Sequence, residues 1–220
     1  MEWRMRAGGR LQGNLMRNLM MGLLLLQAGV AVSVSAQEQA PQAAAVETGT
    51  LVVDVKPFTS EKELPKKVDE QLKSGALEWG VRDGQVVFSL VNKQFIDFPL
   101  NHMTRYGQQE TLSLPAGDYR VTGIGLEMTT AFSVKKVLER GAFVNEDVVT
   151  FRIEPGKTTT LSVNPVIRRD ATFAVNFWMP TLMTRVMTEA GETPETALNT
   201  RGPASIAWPQ YTGPLKFVAK

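Results

Sequence analysis

Glu110-Thr111-Leu112-Ser113-Leu114-Pro115-Ala116-Gly117-Asp118-Tyr119-Arg120-Val121-Thr122 is the stretch on which the fold turns. Leu112 and Leu114 alternate with polar neighbours, Pro115-Ala116-Gly117 reverses the chain, and Tyr119 and Val121 alternate again. A period of two places every second side chain on one face of a strand, so the segment reads as strand, proline-glycine turn, strand. The same statement recurs at Val149 to Val163, where Phe151 and Ile153 lead into Glu154-Pro155-Gly156-Lys157 and Leu161 and Val163 lead out.

Working outward, the alternation continues. Leu51, Val53 and Val55 form a first strand. Leu77, Trp79 and Val81 alternate up to Asp83-Gly84, and Val86, Phe88 and Leu90 alternate after it. Asp-Gly between two such runs marks a β-hairpin, because both central residues of the favoured turn take positive φ. Phe95 and Phe98 read as a short strand ended by Pro99. Phe173, Val175, Phe177 and Met179 read as the last strand, Thr172 to Met179. Between Ser60 and Gly75 the apolar spacing changes to four, at Leu64, Val68 and Leu72, which predicts one short helix with Pro65 in its first turn. Leu182, Met183, Val186 and Met187 also have helical spacing, but Thr and Val are equally at home in an extended strand, so residues 181–191 stand open as helix or strand. Glu192 to Pro214, rich in Pro, Thr, Ala and Gly, reads as a loop or tail folded back on the domain. Trp79, Phe88, Leu114, Tyr119, Phe151 and Phe177 are the expected core or core-edge residues.

Leu-Pro-x-Gly-x-Tyr-x-Val at Leu114 to Val121, and Glu-Pro-Gly-Lys at Glu154 to Lys157 before a threonine-rich strand, resemble signatures of carboxypeptidase-regulatory-like and transthyretin-like β-sandwich domains. The resemblance covers roughly residues 108 to 165. It implies a non-catalytic module of seven or eight strands of the kind found in exported proteins. The expected fold is therefore mainly β: a single antiparallel sandwich, immunoglobulin-like or transthyretin-like, with one or two short helices and a loop-rich C-terminal extension. Residues 1–36 are read as a signal peptide, 37–49 as a flexible linker, 50–180 as the sandwich and 181–220 as the extension.

Export is expected from the N-terminus. Arg4, Arg6, Arg10 and Arg17 precede an apolar run from Leu19 to Val34, followed by the small-residue exit Val34-Ser35-Ala36. Cleavage after Ala36 would deliver the chain to a periplasm or the exterior. A retained anchor needs about 20 apolar residues, more than this interrupted run supplies. Met16 opens a compact version of the same signal, so Met1 and Met16 both stand as starts. No cysteine exists to carry a lipid or a disulfide. The leader holds four Arg and one Glu of the chain's 24 basic and 22 acidic residues, which leaves 20 and 21, a net charge of −1. The basic balance belongs to the leader, and a nucleic-acid partner, which wants a concentrated basic face, is not expected.

The chemistry is sparse. His102 is the one imidazole and no thiol exists, so no Ser-His-Asp or Cys-His arrangement is visible; His102 reads as a surface histidine with at most one hydrogen bond. Ser133-Val134-Lys135-Lys136 spells Ser-x-x-Lys without its companion Ser-Asp-Asn or Lys-Thr-Gly motifs. Gly123-Ile124-Gly125 lacks the third glycine of a dinucleotide loop and reads as a bulge or a close strand contact. Met179, Met183 and Met187 would line one face of a helix, where thioethers suit Cu(I); with His102 they are the candidate metal ligands, set against a methionine stripe packed on the core. No cofactor is expected. The reading is a non-catalytic cell-envelope binding or structural module with a protein, glycan or small-ligand partner. Its rivals are a cell-wall glycan hydrolase with a carboxylate pair, Glu146-Asp147 being one acidic doublet, and a copper-handling protein.

Overall fold

The computed structural model describes residues 46–90, 96–127, 134–171 and 176–215. Two sheets pack as a sandwich. The first runs in the order β11-β10-β9-β1-β6, from β1 (Thr48–Val55), β6 (Gln108–Pro115), β9 (Thr158–Ala171), β10 (Asn176–Thr188) and β11 (Gly191–Glu192), with β2 (Thr59–Ser60) on β9 and β12 (Thr196–Ala197) on β10. The second runs β13-β8-β7-β4-β3-β5, from β3 (Ala76–Arg82), β4 (Gln85–Ser89), β5 (His102–Arg105), β7 (Gly117–Leu126), β8 (Ala142–Ile153) and β13 (Ile206–Ala207). Helices α1 (Lys66–Lys73) and α2 (Val134–Gly141) are the short helices, and Pro65 stands at the N-cap position of α1, one residue before its expected place in the first turn.

The expected sandwich is present, but its ladders are mixed. β1–β9, β2–β9 and β4–β7 are parallel, and the other pairs are antiparallel. The reason lies in the two proline-glycine turns. Each joins strands of different sheets: β6 to β7 through Pro115-Ala116-Gly117, and β8 to β9 through Glu154-Pro155-Gly156-Lys157. They are arches across the sandwich and not hairpins within a sheet. Both close on the start of β1: Ala116 donates its N–H to Glu47 O, Gly156 to Thr48 O, and Thr50 to Lys157 O. Tyr119 ties the first arch, donating its hydroxyl to Pro115 O at 2.9 Å, as a tyrosine corner does. Gly156 is left-handed at φ +68°, whereas Gly117, at +158°, sits at the extended edge.

Leu51, Val53, Trp79, Val86, Phe88, Tyr119, Val121, Phe151, Ile153 and Leu161 fill the space between the sheets, and Leu114 borders it. The Phe177 side chain lies outside the described residues, as does residue 172–175 of the expected last strand. Asp83 and Gly84 take φ +51° and +71°, the geometry that Asp-Gly predicts for the β3–β4 hairpin.

One reading changes, and two open ones take a definite form. Phe95 lies outside the described residues, and residues 96–100 form no strand; Ile96, Phe98 and Leu100 lie instead on the outer face of the second sheet, in a second apolar cluster with Val87, Ile124, Val144, Trp208 and Leu215. Residues 181–188 are not helical, because β10 crosses residue 180 without a break and pairs with β9 down to Met187↔Thr160. A spacing of four is also an even multiple of the strand period, and Thr and Val favour strands. Finally, much of the C-terminal segment is structural: Leu198 enters the core, and β13 and Trp208 cover the second sheet.

Candidate functional site

The histidine is built into the lateral side where β5 meets β6. Trp79 is fully buried and its Nε1–H donates to Thr104 Oγ1 at 2.9 Å; the Thr104 hydroxyl donates to Glu110 Oε2 at 3.0 Å; Glu110 Oε1 lies 2.5 Å from His102 Nδ1. The His102 ring stacks on Trp79 with centroids 4.3 Å apart. The single hydrogen bond matches expectation, but the side chain is only 19% exposed and is not a surface group. Thr104 already donates one bond and accepts another, so the four residues act as a polar clasp joining the sheets. Sequence reasoning missed Glu110, which only the corner at Tyr106-Gly107 brings opposite His102.

The methionines do not converge. All three lie on the solvent side of β10, at the same face because their separation is even. Four strand residues span about 13 Å, so one ion cannot touch all three sulfurs, and His102 is on the other sheet. Among the described residues no group of three His, Cys, Asp or Glu could hold a metal. Glu146 and Asp147 are held apart by different partners: Tyr211 donates its hydroxyl to Glu146 at 2.9 Å, and Asp147 pairs with Arg120 at 3.6 Å. Ser133 lies outside the described residues. Gly123 and Gly125 do mark a bulge, where the β7–β8 register shifts, and a close approach: a Cβ on Gly123 would meet Leu198 O at 2.1 Å.

The opposite lateral side carries a concavity. β13 pairs with β8 only at Phe143 and Val144, so the rest of β8 faces the β10–β11 turn across a groove of about 390 Å³. Buried Phe151 and Val186 form its floor, and the exposed hydroxyls of Thr150 and Thr158 stand on its wall. Its charges are largely paired internally. Lys157 pairs with Glu154, Arg152 with Asp118 at 3.4 Å, and Arg185 with Glu192 at 3.2 Å. The hydrogen bond and charge of Lys157, helped by Arg152, hold the Glu154 carboxyl below its ordinary range, the reverse of what a glycosidase acid requires.

Comparison with protein-family models, with curated proteins and with solved structures gives no match.

Proposed function

We propose that this chain is an exported, non-catalytic module of the cell envelope that binds a neutral polar partner, a glycan or an extended peptide, in the groove between β8 and the β10–β11 turn. The observation that carries the reading is the groove itself: hydroxyl-rich, apolar-floored, and ringed by charges of which Arg152, Glu154, Lys157 and Glu192 are already paired. Such a surface offers hydrogen bonds and contact area without long-range attraction for an ion. The Arg-flanked leader and the Val34-Ser35-Ala36 exit support export, and no helix among the described residues is long and apolar enough to cross a membrane. The resemblance of the two arches to carboxypeptidase-regulatory-like and transthyretin-like modules supports a binding or structural role.

Crosslinking and co-purification from an envelope fraction tests this, with wild type beside Thr158→Trp, which fills the groove from an exposed position. We expect a captured partner or glycan that the variant loses. Equal capture by both proteins would remove the groove from the function.

A further inference from the structure

We propose that β6 is a self-complementary edge through which two copies of this chain pair antiparallel, joining their first sheets across a twofold axis at Ser113.

The sheet ends at β6, and no described residue pairs with its outer side. Its register with β1 runs without a bulge from Gln108↔Val55 to Pro115↔Thr48. Because Ala116 donates to Glu47 O, ladder bonds alternate back along β6, and the backbone groups of Thr111, Ser113 and Pro115 point away from β1. Pro115 has no N–H and occupies one of these outward positions, so it costs the β1 ladder nothing, and in a pair centred on Ser113 it accepts from Thr111 of the other copy without donating back, which leaves the Ser113 pair and the Thr111 donors to hold the ladder.

Proteins usually blunt such an edge with charge, proline, a bulge or a short length, and β6 carries only Glu110 and its terminal Pro115 of these. β8, the rim of the groove, carries Arg152 and a bulge in which Asp147 takes φ +52°. β5 spans only four residues. In β6 no charged residue stands between Thr111 and Gly117, and its core-facing Leu112 and Leu114 are only half-buried. An added strand with apolar residues at alternate positions would finish covering this side of the core.

A second copy of β6 has that pattern. Pairing about Ser113 sets Leu112 opposite Leu114 of the other copy and the reverse, places the two Ser113 residues face to face, and brings no like charges together. It leaves Glu110, engaged with His102, opposite Ala116. A shift of two residues would instead set Leu114 against Glu110 in one direction, or Leu112 against Ala116 and Glu110 against Asp118 in the other, so the leucines and the acids fix the register.

The test uses the purified full chain and reads its mass by light scattering. Wild type should run at twice the chain mass. Ser113→Lys and Ser113→Glu should each run as monomers, since like charges meet at the axis, and an equimolar mixture should recover the doubled mass. Because the chain has no cysteine, Ser113→Cys provides its sole thiol. Opposed residues in a hydrogen-bonded pair lie about 5.5 Å apart at Cα, within disulfide reach, so oxidation should crosslink it, while Thr150→Cys on β8 should stay monomeric. A monomeric wild type, or a dimer that Ser113→Lys leaves intact, overturns the proposal. So does preferential crosslinking through Thr150→Cys.

Discussion

The outer faces of the two sheets differ more than their inner faces do. The second sheet is buried on both sides: every residue of β4 from Gln85 to Ser89 is buried, and residues 96–100, Trp208 and Leu215 cover Val87, Ile124 and Val144. The first sheet turns Val52, Thr160, Asn164, Met183 and Met187 half-exposed to its outside. Two layers thus rest on one sheet and one on the other. The covering segments come from the middle and the end of the chain, so stability of the second sheet depends on parts distant in sequence, whereas the first carries little on its outside to lose.

The largest effect should come from removing the cover. Phe98→Ala and Leu215→Ala, at 5% and 1% exposure, should each cost about 2–5 kcal/mol in urea unfolding. A cost below about 1 kcal/mol for both would make the cover an ornament of the sheet and erase the contrast. Next is the contact beneath it. A Cβ on Gly80 would meet Pro99 O at 2.0 Å, so Gly80→Ala must lift residues 99–100 from β3, at about 1–3 kcal/mol, measured in the same way.

A smaller effect follows from Tyr211, which packs near Trp208 and donates to Glu146. Burial first, then the bond and charge of Glu146, hold its phenol well above the ordinary value of 10.0. A raised folded pKa stabilises fully below the unfolded value. Stability is then lost as pH climbs above about 10, where the unfolded phenol ionises and the folded one does not. Wild type should lose more stability than Tyr211→Phe between pH 9 and 11, by about 1 kcal/mol; parallel pH profiles would detach Tyr211 from the cover. Smallest is Met183→Thr on the bare face, expected to change stability by less than about 1 kcal/mol. A larger loss would mean that this face is covered in solution.

Much of this arrangement can be read from residues alone. Asp83-Gly84 specifies its hairpin because few other pairs accept two positive φ angles in succession, and both proline-glycine turns fall where expected. That the turns cross between sheets is not written locally: Pro115-Ala116-Gly117 would serve an arch or a hairpin, and the difference lies in where Glu47 and Tyr119 find partners. Val86-Val87-Phe88 carried an unused signal, since an unbroken apolar run marks a strand buried on both faces, while alternation assigned only Val86 and Phe88. Leu182, Val186 and the methionines leave helix and strand undecided because a step of four satisfies both periods. The clasp was invisible because a histidine eight residues from a glutamate has no diagnostic meaning until a corner folds one over the other. The groove was invisible for the same reason: β8 and the β10–β11 turn meet only in three dimensions.

β1 lies between β6 and β9, and its parallel partner Thr158 to Val163 is more than a hundred residues downstream. Closing a loop of that length costs about 4 kcal/mol of chain entropy before any ladder bond compensates it. The opening strand therefore waits, half-paired, until roughly three-quarters of the polypeptide has emerged, and such non-local pairing makes for slow folding. A sequence whose first strand cannot be satisfied early stays loose for long enough to be threaded through a narrow channel, which suits the export proposed for it.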